Sequence, residues 1–126
     1  MTTPLLCLFI GCIIPFLLAP AAAYYRKAQF GSIDNNNPRV QTAKLEGAGA
    51  RASAAQSNAW EALALFTAAV LVNHLNGGDP DTSATLAMVW VGARVVHGPA
   101  YIADLAPVRS GVFVVGMVCA ISLFFV

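Results

Sequence analysis

Apolar residues run along this chain in four long stretches, roughly residues 4–25, 49–75, 82–104 and 109–126. Each approaches the length of about 20 mostly apolar residues that a helix needs to cross a bilayer. The first carries no charge, although Pro15 and Pro20 fall inside it; each removes a backbone hydrogen bond and favours a kink. Tyr24, Tyr25, Arg26 and Lys27 follow as an interfacial anchor of aromatic and basic residues. The second stretch ends in Asn76-Gly77-Gly78-Asp79-Pro80-Asp81, a tight acidic turn, and Pro107 stands in the connection after the third. Residues 26–48 form the one long loop, with a turn cluster at Asp34–Pro38. The pattern predicts an all-α, integral membrane, antiparallel four-helix bundle in a single domain.

Two of these stretches are interrupted by polar residues in a regular way. Arg51, Ala54, Asn58 and Glu61 are spaced three, four and three apart, and Arg94, His97, Tyr101 and Asp104 repeat that spacing. Residues so spaced share one helix face. Antiparallel pairing of the second and third helices sets Arg51 level with Asp104 and Glu61 level with Arg94, a ladder with complementary charge at both ends. Ionisable groups inside a membrane are costly and point to function by default. The stripes therefore predict a polar pocket for an anionic or zwitterionic ligand. In it the arginines clamp carboxylates, Glu61 holds an amine and Asn58 satisfies an amide. The competing reading is structural: bonds such as Glu61 to Arg94 simply lock the helices, at about 0.6 kcal/mol per hydrogen bond.

Charge places these elements. The long loop and its flanks carry Arg26, Lys27, Arg39, Lys44 and Arg51 against Asp34 and Glu46. By the positive-inside rule the loop is cytoplasmic and both termini lie outside, with the polar stripes near the cytoplasmic end. The N-terminal stretch lacks a basic n-region and reads as a retained span rather than a cleaved signal.

The chain is 58% hydrophobic and 10% charged over 126 residues, far below the roughly 25% charge of soluble domains. A net charge of +1 gives no reason to expect nucleic acid. Cys7, Cys12 and Cys119 have no metal-ligand spacing and read as apolar filler, so no metal is expected. A four-span proton-coupled exporter would want a carboxylate deep in the first span, which has none. His97 is the one histidine at pocket depth, with a hydrogen-bonded structural role or a proton-transfer role open to it. His74 reads as interfacial, and Trp60 and Trp90 as packing or lipid-facing residues. Arg109, opening the fourth stretch, reads on its own as a positive-inside anchor.

The small residues Gly47 to Ala55 at the start of the second helix predict a close helix–helix approach. Arg51-Ala52, Asn58-Ala59-Trp60-Glu61 and Phe66, with Ala93-Arg94, Tyr101 and Arg109-Ser110, resemble the helix signatures of the MAPEG family (membrane-associated proteins in eicosanoid and glutathione metabolism). The resemblance covers nearly the whole chain and is nearest to the small bacterial branch, which implies a bacterial inner-membrane location. It implies a homotrimer with glutathione at subunit interfaces near the cytoplasmic side. The characterised relatives conjugate glutathione to lipophilic electrophiles or reduce lipid hydroperoxides, without a metal. Carried over by position, Asn58 and Glu61 bind the glutathione backbone, Arg51, Arg94, His97 and Tyr101 complete the site, and Arg109 stabilises the thiolate. A lipophilic second substrate would enter from the bilayer. The chain departs from the animal pattern at Ala54, where an arginine is common, at His97, where a tyrosine is frequent, and in Arg109, one residue further from Tyr101. The alternative implied by those departures is a non-catalytic protein of the same fold, an accessory subunit of a larger membrane complex.

Overall fold

The computed structural model describes all of residues 1–126. It contains five helices and no strand: α1 (Thr3–Phe30), α2 (Pro38–Ala43), α3 (Gly47–Leu75), α4 (Pro80–Ile102) and α5 (Ala106–Ser122). The fifth element is α2, one short turn of helix inside what the sequence pattern leaves as loop. Pro38 opens it, where a missing N–H costs nothing.

The helix bounds also differ from the apolar stretches. α1 continues through Pro15 and Pro20 to Phe30, because hydropathy marks where the lipid-compatible surface ends, not where the backbone must stop helping itself to i→i−4 bonds. It stops at Gly31, whose φ of 79° is the left-handed geometry of a helix C-terminus and whose N–H bonds the Lys27 carbonyl. α4 ends at Ile102, so Asp104 lies off the helix, exposed and at φ 60°. Pro107 belongs to the first turn of α5 rather than to a connection.

Contacts set the directions of the long helices. Tyr25 meets Gly49 while Gly11 meets Leu63, so α1 and α3 run antiparallel. Arg51 bonds Ile102 while Phe66 stacks on Trp90, so α3 and α4 do the same. Gly116 faces Trp90 while Arg109 covers Tyr101, which sets α5 against α4. The small residues at the start of α3 have the expected consequence: Gly49, Ala52, Ala55 and Ala59 are buried, and a Cβ on Gly49 would come within 2.9 Å of Tyr25 Cβ.

Toward the other end of the helices lies an apolar core built around Phe66, Val70, Ala87, Trp90, Cys119 and Leu123. The Phe66 and Trp90 rings stack at 3.7 Å with 4° between their planes. Gly11 of α1 admits the Trp90 ring at its back. Beside this core, Asn73 is buried and donates through Nδ2 to the Leu123 and Val126 carbonyls at 3.1 and 2.9 Å.

The long connection is tied at its ends. Gln29 Nε2 donates to the Lys44 carbonyl at 3.0 Å while its Oε1 accepts from Glu46 N–H at 3.0 Å. Gln41 spans the middle, donating to Ser32 carbonyl and accepting from Asp34 N–H.

α1 is the one helix long and apolar enough by itself to cross a membrane. α3 and α4 are long enough but carry the polar stripes, and α5 is apolar over 17 residues.

Candidate functional site

The buried face of α4 runs Ser83, Ala87, Trp90, Arg94 and His97 at helical spacing, so the polar stripe is the continuation of the core-facing side rather than a separate edge. Arg94 is 4% exposed, and its guanidinium donates from Nη2 to Asn58 Oδ1 of α3 at 3.0 Å. This replaces the expected rung with Glu61. Glu61 lies one turn along α3 from Asn58 and is exposed on the protomer surface. The second expected rung is also replaced: Arg51 Nε donates to the Ile102 carbonyl at 3.0 Å, not to Asp104. The reason is geometric. Asp104 has left the helix, and while the Pro99, Ala100 and Tyr101 carbonyls accept from the N–H groups of residues 103–105, that of Ile102 is open where Arg51 arrives.

Two recesses open around the Asn58–Arg94 pair. One, about 160 Å³, is lined by Asn58, Glu61, Arg94, Trp90 and an apolar wall that includes Leu65, Phe113 and Met117. The other, about 280 Å³, is lined by Asn58, His97, Tyr101, Arg109, Ser110 and Phe113. Asn58 and Phe113 belong to both. Six of the seven residues read from the sequence as site members thus line these two spaces. Arg51 does not; it caps α4.

The second recess is organised by aromatic contacts. The Arg109 guanidinium carbon sits 4.6 Å from the Tyr101 ring centroid, within cation–π range. The His97 ring meets Tyr101 edge-on at 5.7 Å and lies 6.3 Å from Phe113. His97 is 2% exposed and its Nδ1 has no hydrogen-bond partner. Of the two roles open to it from the sequence, the hydrogen-bonded structural one finds no partner at this atom. Trp90, expected to pack, packs and also walls the first recess; Trp60 is 42% exposed and meets Phe16 edge-on.

Phe113, Gly116 and Ala120 of α5, which the polar stripes do not single out, complete the wall. Their signal was present: they follow Arg109 at helical spacing of four, three and four.

Chemically, the first recess pairs a buried guanidinium with a separate carboxylate. Arg94 has five N–H donors and Asn58 as its side-chain acceptor, with no carboxylate bonded to it. A buried cation without a counter-ion is costly. An anionic group entering between Arg94 and Asn58, with an ammonium toward Glu61, would satisfy both.

The fold and this site define an all-helical protein with a cavity, part polar and part apolar, between α3, α4 and α5. A model of the MAPEG family matches residues 3–126, and the chain belongs to that family. No curated protein and no solved structure matches the chain.

Proposed function

We propose that the protein is a membrane-bound, glutathione-dependent transferase or peroxidase acting on lipophilic electrophiles. The observation that carries this is the Arg94 guanidinium, bonded to Asn58 but to no carboxylate, sharing one recess with Asn58 and Glu61. That donor and acceptor set matches the α-amino acid end of glutathione, with its carboxylate toward Arg94 and its amine toward Glu61. Family membership supports the same substrate class. The neighbouring recess would take the thiol end, where Tyr101 holds Arg109 in place. A free thiol ionises near pH 8.5, and the thiolate is the nucleophile. A guanidinium within bonding reach favours the anion. The apolar wall of Leu65, Phe113 and Met117 would receive the lipophilic partner.

Glu61 projects from the protomer surface in the middle of a long helix, and an ionised carboxylate is disfavoured against lipid. The reading therefore includes assembly with further copies of the chain, as a homotrimer, so that a neighbour covers this edge. Both termini would lie outside and the loop carrying α2 in the cytoplasm of a bacterial inner membrane.

The test is thermal unfolding of the detergent-purified protein during a glutathione titration. Ligand at 100 times its dissociation constant adds about 2.7 kcal/mol. Glu61→Gln should weaken that binding; Arg109→Ala should retain it and lose the thiolate ultraviolet band. A second reading, a non-catalytic accessory subunit, is favoured by one observation: Arg51 is spent on the Ile102 carbonyl, leaving Ala54 and not an arginine on the turn before Asn58. No thermal response at millimolar glutathione would select it.

A further inference from the structure

A second polar recess lies at the opposite end of the helices, where α1 begins, α3 ends and α4 begins. Its volume is about 520 Å³, within the range of small-molecule sites. Thr2, Thr3, Asn73, His74, Asp81 and Ser83 supply its polar side chains, and Pro4, Pro80 and Ala84 the apolar part of its wall.

Two features separate this recess from an ordinary loop depression. The first is Ser83. It is 2% exposed, lines the recess, and its Oγ has no hydrogen-bond partner. Helical hydroxyls commonly bond the carbonyl four residues back. Thr67 and Thr85 do so here, to Leu63 and Asp81. Ser83, the more deeply buried, does not. A buried hydroxyl left alone costs about 1–3 kcal/mol, so something arriving in the recess is expected to satisfy it.

The second feature is an asymmetry between the two helix starts. α4 is capped: Asp79 accepts from Thr82 N–H at 2.8 Å. α1 is not: its N-cap Thr2 makes no side-chain cap bond. Pro4 has no N–H to give, so the Thr3 N–H, the Thr2 and Thr3 hydroxyls and the His74 ring form the donor side suited to an anion. Asp81 and Ser83, in the first turns of α4, both border the recess and offer a carboxylate and a hydroxyl oxygen to N–H donors.

We propose that this recess binds a lipid headgroup carrying a phosphate and a primary ammonium, the phosphate against the first turn of α1 and the ammonium between Asp81 and Ser83. Its place at the helix ends is the depth of headgroups, not of acyl chains. A primary ammonium donates to both acceptors. A quaternary ammonium has no N–H and would leave Ser83 alone. A headgroup without nitrogen would leave Asp81 facing a second negative charge.

Native mass spectrometry of the full chain, released from micelles doped with phosphatidylethanolamine, phosphatidylcholine or phosphatidylglycerol of identical acyl chains, tests this. Phosphatidylethanolamine should be retained roughly tenfold better than either competitor, as expected for one hydrogen bond to a charged group. Ser83→Ala and Asp81→Asn should each bring phosphatidylethanolamine down to the phosphatidylcholine level while leaving phosphatidylcholine unchanged. Asp81 is exposed, so its variant gives the readout even if the Ser83 variant folds poorly. Equal retention of the three lipids by the wild type would overturn the proposal. So would tighter phosphatidylglycerol binding, or soluble glycerophosphoethanolamine binding as well as the intact lipid.

Discussion

Asn73 and His97 are both polar, both buried and both on long helices, yet the protein treats them in opposite ways. Asn73 borders a recess too, yet it gives its amide to two backbone carbonyls beside the apolar core. His97 sits on a recess with an unpartnered Nδ1. The difference separates a polar group that closes the fold from one held for something that arrives later. In a chain this apolar, burial alone cannot tell the two apart; the partner list does.

That contrast can be broken most strongly in the apolar core. Trp90→Ala removes the stack against Phe66 and should lower unfolding free energy by about 3–5 kcal/mol, measured by denaturant titration in detergent. Asn73→Ala leaves two carbonyls without their donor and should cost about 2 kcal/mol in the same assay. His97→Leu should behave differently. Replacing a group that has no partner with an apolar one of similar reach should leave stability within about 1 kcal/mol of wild type, while the glutathione response falls. A loss as large as that of Asn73→Ala would erase the distinction between the two residues.

The smallest effect is at the head of α4. Hydrogen bonding from Thr82, first from its side chain and second from its backbone N–H, holds the Asp79 carboxyl below its ordinary value. A depressed carboxyl stabilises the fold above its unfolded value, about 3.9, and that contribution disappears as pH falls through the lower folded value. A melting series between neutral and strongly acid pH should show this loss in wild type. Asp79→Asn keeps a capping side chain that does not titrate, and should flatten that part of the curve.

Much of this was legible in the residues themselves. The spacing of Asn58, Glu61, Arg94, His97 and Tyr101 was enough to put them on facing sides of neighbouring helices, and the structure gathers them around two recesses. The pairing within the ladder was not legible. Spacing fixes a face but not the acceptor, and backbone carbonyls such as those of Ile102, Leu123 and Val126 leave no mark on a side-chain pattern. For the same reason Asn73 and Ser83 passed unnoticed. The departure of Asp104 from the helix depends on a left-handed backbone at a residue that is not glycine, which composition does not announce. α2 is too short to show a period.

The twin bonds of Gln29 to Lys44 and Glu46 carry one more consequence. Because a single amide clasps the exit of α1 to the entrance of α3, the intervening segment need not act as a ruler for the distance between them. A peptide tag spliced between Asn35 and Asn36 should therefore be carried without shifting Arg51 from its carbonyl, whereas Gln29→Ala would let the entrance of α3 drift even in a chain of unaltered length.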